Sequence, residues 1–594
     1  MKPVTAADVH ASEVDVTERD LGLRYWTQGR ISRRRLLGGV AVGGAAVAAI
    51  GLVGCTKQST SAPVGTSSPG ARPTTTVNDG TQDGPPTHLG GILRVRQDPV
   101  MPNVDPFGPG ILALIQGLFL GFTVFDHMWY VPTDTGTTEL FLATKVEQPD
   151  PLTVIATLGD ATFHDKPPVN GRKVLASDVA ASFKRFREET GIGFDWLHGV
   201  MADIVAPDER TVKITQKRPW AWVFTSSNAG SPITSSIMPA EILHGHDDLL
   251  HQTAIGSGQW VLQSHDNGAN PKLRKFQNFR QFAGTKSIKG QPYLDGIDFK
   301  VVTDDNAALA AFKAGDLDAI GFASKDDAVQ TQQQLGDKIV TGSDLGRDYD
   351  CLMLKYEPPF TDPRVRHAFN LLINRGEAID LLEQGSGQRC GPLPPANKRY
   401  VLPDSDPALQ EYFKHDVAEA KKLLDAAAFD YNQTHEMKFS NRPEDANLAE
   451  VLKGQFAKGG VKLKLTQQDL VRWLTTTLSQ SQFHMTCFRQ LPYEDPDLPL
   501  RFFLGAQGFG SNFMGYDDPK VDAAILAAAQ ELDETARIQK VMDAQRAIIN
   551  AWAPMLNIYS PIGYGGRYAY VKGTISGRGS YGLFNRTTWL DKPA

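Results

Sequence analysis

The chain has 594 residues, far more than the ~250–300 at which a single hydrophobic core stops growing, so several domains are expected. Its 41% apolar and 22% charged residues fit a globular protein and exclude a wholly disordered chain. With 61 Lys and Arg against 67 Asp and Glu, a formal charge of −6 and no basic stripe, a nucleic-acid surface is excluded as well.

At the N-terminus, Arg33-Arg34-Arg35 precedes an uncharged run from Leu36 to Gly54 that is rich in Gly and Ala. Arginines before a weakly hydrophobic run resemble a twin-arginine export signal. Leu52-Val53-Gly54-Cys55 resembles a bacterial lipobox, in which Cys55 becomes the lipidated first residue. A plain transmembrane helix is the competing reading, since about 20 apolar residues can span a bilayer. Residues 1–54 are therefore expected to be an export signal. The Ser/Thr/Pro/Gly tract over 55–89 has too little apolar mass to fold and is expected to be a tether.

The folded body is expected to start at Gly90 with a strand, followed by a loop holding Asp105-Pro106-Phe107. Thr153–Leu158 is β-branched and apolar, a strand. Pro167-Pro168 and Asn170-Gly171 are turn signals. A helix follows, with Ser177 as N-cap, Asp178 in its first turn, and Val179, Ser182, Phe183 and Phe186 along one face. Asp208 to Thr215 reads as a turn and a strand, and Ala307–Lys313 as a helix closed at Gly315. Thr361 or Asp362 caps a helix that has Pro363 in its first turn. Asp416–Ala428 is amphipathic. Gly459-Gly460 turns into a strand. Asp533–Asn550 is a long helix, and Ala553–Tyr559 leaves it as a strand.

Together these stretches resemble the extracytoplasmic solute-binding proteins of the dipeptide/oligopeptide type, which serve ABC importers. Phe163, Asp165, Pro167, Val169, Ala176, Asp178, Val179, Ser182 and Arg185 keep that family's signature, with Lys166 where Gly is usual. Pro292-Tyr293-Leu294-Asp295, the stretch from Pro359 to Ala368, and Met514-Gly515-Tyr516 follow in the family's order. The resemblance covers Gly90 to about Asp591. It implies an α/β fold of two lobes, periplasmic-binding-protein-like, with an extra subdomain inserted in lobe one. By that analogy lobe one is 90–131, 253–345 and 557–594, the insertion is 132–252, and lobe two is 346–556.

The resemblance also implies a ligand held between the lobes. Peptide-binding relatives hold the ligand's ammonium with an Asp three residues before a D-P-D motif. Here the motif is Asp495-Pro496-Asp497, and the position falls on Pro492. Glu494, Tyr493, Arg489, Trp473 and Asp497 are the nearby candidates, with Phe107 at the cleft mouth. Arg389, in a Gly-rich loop, suits an anionic group bidentately. Core packing is the competing role for Trp473 and Tyr493, a structural ion pair for Arg489, and a plain surface position for Arg389.

Among other classes, His244, His246, Asp247, Asp248 and His251 offer metal-ligand types, but their spacing fits no zinc pattern, and no metal or cofactor is expected. The chain lacks G-x-S-x-G, H-E-x-x-H and a phosphate loop, so no enzyme is expected. Cys351, Cys390 and Cys487 remain after Cys55; the first two could pair, although spacing alone cannot show it. The expected partners are a peptide or peptide-like solute, an ABC permease and the membrane through the lipid anchor. The protein is expected to be a monomer. An envelope-assembly or sensing protein on the same fold is the alternative.

Overall fold

The computed structural model describes residues 83–97, 104–106, 120–121, 123–130, 138–189, 196–224, 235–243, 253–266, 269–490, 495–505, 512–574 and 585–592. Strand β1 (Ile92–Gln97) points successive side chains to opposite faces and buries Leu93 and Val95. Strands β2 (Ala143–Asp150), β3 (Thr153–Leu158), β4 (Met201–Val205) and β5 (Thr211–Gln216) form a separate antiparallel sheet, in the order β2-β3-β5-β4. Helix α1 (Ala176–Glu189) packs on β4 and β5 and buries Val179, Phe183 and Phe186.

Strands β6 (Trp260–Asp266), β7 (Ala269–Lys275), β8 (Gly296–Val301), β9 (Ala319–Phe322) and β10 (Ile339–Leu345) return the chain to the large sheet. Helices α2 (Asp305–Ala314) and α3 (Lys325–Leu335) flank β9, and a small core of Ala308, Phe312, Ile320, Phe322 and Ala328 lies between them. Gly315 ends α2 at φ 82°, a conformation that costs a residue without Cβ nothing.

Then come β11 (Asp350–Leu354), β12 (Gly387–Arg389), β13 (Thr434–Ser440), β14 (Lys462–Gln468) and β15 (Met485–Arg489). Helices α4 (Pro363–Leu372), α5 (Arg375–Glu383), α6 (Val417–Ala426) and α7 (Pro443–Lys458) belong to the same part. Strand β11 is buried on both faces, as its unbroken Cys-Leu-Met-Leu run requires. Its Leu352 and Leu354 join Phe369, Leu372, Leu452, Phe456 and Met485 in a second core. Helix α8 (Glu534–Asn550) leads into β16 (Met555–Tyr568).

The twelve-stranded sheet runs β14-β13-β15-β11-β16-β9-β1-β8-β7-β6, with β10 and β12 also paired to β16. Strand β16 serves both lobes. Its start, through Tyr559, pairs with β11, and Ile562 to Tyr568 pair with β10. Residues 346–349, from β10 to β11, form the other, earlier passage between them. These are the two lobes of an α/β fold, as expected.

Locally, the predicted elements form. Asp362, Asp416 and Asp533 each accept a backbone N–H at a helix start. Helix α1 begins at Ala176, one residue before the Ser177 expected to precede it. The Asp178 carboxylate, longer and charged, takes the Leu175 N–H instead. Lys166, which replaces the Gly of the resembling family, donates to Thr253 Oγ1 at 2.9 Å and to the Leu262 carbonyl. Beside it, buried His164 sets Nε2 3.0 Å from the Gly258 carbonyl. Both side chains thus tie the 162–173 turn to the segment that re-enters the large sheet. Cys351, Cys390 and Cys487 are buried and unpaired, so the Cys351–Cys390 bridge that spacing had left open is not formed. Cys351 Sγ faces the Phe488 carbonyl, and Cys390 Sγ faces those of Gly391 and Leu393.

Candidate functional site

Where the chain crosses between the lobes, four strands place one residue each in a row. Arg389 of β12 lies opposite Tyr559 of β16, Tyr559 opposite Asp350 of β11, and Asp350 opposite Arg489 of β15. Residues directly opposite on antiparallel strands share a face. The Arg489 guanidinium accordingly donates to Asp350 at 2.7 and 3.3 Å, to Glu383 Oε1 at 2.5 Å and to the Tyr559 hydroxyl at 3.2 Å. Tyr559 in turn donates to Glu383 at 3.1 Å. Asp348, on the 346–349 passage, stands 4.0 Å from Arg489 Nε.

The backbone beneath this group is held as firmly. Arg489 N–H donates to Asp445 Oδ1 at 2.8 Å, and its carbonyl accepts from Arg442 at 2.8 Å. Asp445 is wholly buried and also takes the Ser440 hydroxyl and the Arg442 guanidinium. Burial pushes its carboxyl up to about 6, against the pull of Arg442.

Three carboxylates, Asp348, Asp350 and Glu383, surround the single guanidinium of Arg489. Burial pushes the Asp348 and Glu383 carboxyls up, and Arg489 only partly offsets it. Burial also works against the Arg489 charge, but Asp350, Tyr559 and Glu383 outweigh it and hold that proton more firmly than usual. Chemically, a guanidinium beside several carboxylates is suited to holding charged or hydrogen-bonding groups.

The residues singled out from the sequence fall in different places. Arg389 and Arg489 come together on either side of the Tyr559–Asp350 pair. Arg389 is exposed, with its guanidinium 4.7 Å from the Phe413 ring centroid. Trp473 is 1% exposed; it packs on Phe488 at 4.7 Å between centroids and donates Nε1–H to Thr486. Asp497 is buried 3.1 Å from Arg501 and does not reach the row. Phe107, Tyr493, Glu494 and Cys55 lie outside the described residues, as do His244, His246, Asp247, Asp248 and His251. Among the described residues no cluster of three or more His, Cys, Asp or Glu could hold a metal. No described helix is long and apolar enough to cross a membrane. Sequence reading missed Asp348, Asp350, Glu383 and Tyr559. Glu383 closes an ordinary helix and Asp348 sits in a short loop, so neither carries a local signal.

Residues 137–511 match the model of the bacterial extracellular solute-binding proteins, family 5 Middle. The chain belongs to this family. Among curated relatives, the glutathione-binding protein GsiB of Salmonella typhimurium is 27% identical over 266 residues, covering 44% of this chain and 48% of that protein. The heme-binding protein A of Haemophilus influenzae is 23% identical over 391 residues, 64% of this chain and 68% of that one. The match to GsiB thus spans about half the length of that relative. Two solved structures share the fold. AgaA of A. tumefaciens R10 with agropinic acid has a TM-score of 0.71 at 21% identity, over 85% of this chain and 99% of that one. DppA of Helicobacter pylori with the peptide STSA has a TM-score of 0.69 at 20% identity, again over 85% and 99%.

Proposed function

We propose that this family 5 protein is the substrate-binding lipoprotein of an ABC importer and captures a peptide or peptide-like solute between its lobes without transforming it. Lobe one comprises 90–131, 253–345 and 557–594, with 132–252 inserted, and lobe two comprises 346–556. The observation that carries the reading is the charged row at the lobe crossing of a chain from this family. There Arg389 offers a guanidinium to a solute carboxylate, while Asp348 and Glu383, more acidic in sum than Arg489 can balance, favour a solute ammonium. Phe107, Tyr493 and Glu494 are the further candidate contacts that the resemblance implies, whereas Asp497 is paired with Arg501 and Trp473 packs in the core. The relatives named for glutathione and crystallised with agropinic acid or a peptide fit a small, charged, peptide-like guest. In this reading the Arg33-Arg34 signal exports the chain, Cys55 anchors it on the extracytoplasmic face, and it works as a monomer beside a permease.

Native mass spectrometry and thermal shift of the mature protein against peptide and metabolite libraries test the proposal. A true ligand at a hundredfold excess over its Kd adds about 2.7 kcal/mol of apparent stability. If no solute stabilises the protein, the importer reading falls. Pro492, in place of the amine-binding Asp of peptide-binding relatives, favours a second reading, an envelope-assembly or sensing protein that keeps this fold. A cognate permease that imports a bound solute would separate the two.

A further inference from the structure

Arg489 touches both passages between the lobes. Its backbone belongs to lobe two, pinned by Asp445 and Arg442. Its guanidinium binds Asp350, where the first passage ends, and the Tyr559 hydroxyl, where the second begins. Glu383, the last residue of α5, completes the clasp by accepting from both Arg489 and Tyr559. The two passages also meet directly, since Gly346 N–H donates to the Pro561 carbonyl at 2.8 Å. A Cβ on Gly346 would lie 2.4 Å from Asp348 Oδ1 and 2.8 Å from the Pro561 carbonyl oxygen, so only glycine allows this approach.

We propose that Arg489 is a positioning residue for lobe closure. It clamps the lobe-two ends of both passages into one rigid unit and confines bending to Gly346–Asp348 and to Ile562, just beyond Ser560 and Pro561, which pair with β12. The physical reason is a difference in grip. Asp350 and Tyr559 are hydrogen-bonded to Arg489, whereas Asp348, two residues nearer the pivot, is held only by charge at 4.0 Å. Rotation of one lobe changes that last distance and leaves the first two intact. The Asp348–Arg489 attraction therefore biases the balance between open and closed forms.

The purpose of the clamp rests on the capture reading, but its test needs no solute. Hydrogen exchange read by mass spectrometry on the full chain, without ligand, compares wild type with Tyr559→Phe and Asp348→Asn. Small-angle scattering on the same samples reads the overall dimension. Tyr559→Phe cuts one arm of the clasp without stranding a charge. Asp348→Asn alters a side chain that is already 30% exposed. The expected result for Tyr559→Phe is about tenfold faster exchange over 346–349 and 559–562, equivalent to about 1.4 kcal/mol, with β3 unchanged. Asp348→Asn is expected to shift the mean dimension with little change in exchange. Unchanged exchange at the passages, faster exchange equally throughout the molecule, or an unmoved dimension in Asp348→Asn would overturn the proposal. A failed ligand screen would sink the capture reading and leave this result standing.

Discussion

Arg172 and Asp178 face each other through two parallel hydrogen bonds, Nη1 to Oδ2 at 2.8 Å and Nη2 to Oδ1 at 2.7 Å. Asp178 is 1% exposed and also accepts the backbone N–H of Leu175 and of Ala240. One carboxylate therefore joins the Asn170-Gly171 turn, the start of α1 and a segment some sixty residues further on. Arg172 extends the link to Glu241. The signature stretch around Asp178 is scaffold, and the geometry gives the reason.

It follows that Asp178→Asn removes the charge that Arg172 and two backbone N–H groups meet, while Glu241 still partners Arg172, and should cost about 2 kcal/mol of stability, the scale of a hydrogen bond to a charged group. Urea titration checks the loss. Affinity per folded molecule should stay at the wild-type value; a large affinity change with normal stability would contradict the scaffold role.

His435 is expected to make stability depend on pH. It is 1% exposed, stacked on Phe429, and sets Nδ1 2.9 Å from His484 Nε2, whose own Nδ1 lies 3.0 Å from Glu357. Glu357 can only accept, so His484 donates from Nδ1, and its Nε2 accepts the proton on His435 Nδ1. Burial, helped by His484, lowers His435 to about 4 from 6.5. Between those values the unfolded chain binds the proton and the folded one does not. The His435 contribution is therefore whole above pH 6.5 and is lost as pH falls toward 4, at up to ~1.4 kcal/mol per pH unit. The stability gap between wild type and His435→Gln should narrow over that window. A constant gap from pH 7 to pH 4.5 would contradict this account.

Arg389→Ala should weaken binding of a carboxylate-bearing solute about tenfold, the scale of one charge-assisted hydrogen bond. Because the side chain is exposed, the melting temperature should move little. Isothermal titration with a solute found by the ligand screen reads the effect. Equal Kd values for wild type and variant would place Arg389 outside the site.

Cys55→Ala should release the protein from the membrane fraction into the soluble extracytoplasmic fraction. Fractionation and blotting decide it. Retention of the variant would point to the apolar run at 36–54 as a true transmembrane anchor.

Much of the architecture was legible in the chain because its causes are local. Asp362, Asp416 and Asp533 cap helices by reaching two or three residues along. Gly315 closes a helix through its own backbone, and the alternation of β1 follows from a period of two. The order of such signals from Gly90 onward was enough to suggest the two-lobed family. The site was less legible, because its causes are distant in sequence. Arg489 finds Asp350 139 residues away, Glu383 106 away and Tyr559 70 away. No window along the chain contains that set. Trp473 shows the same limit from the other side: an aromatic beside a charged loop reads alike whether it faces a solute or the core, and only the packing of Phe488 and Thr486 decided it. By itself the sequence determined the elements, their order and the family. Tertiary structure decided which charges meet at the lobe crossing, because that depends on strand order and register in a sheet assembled from segments hundreds of residues apart.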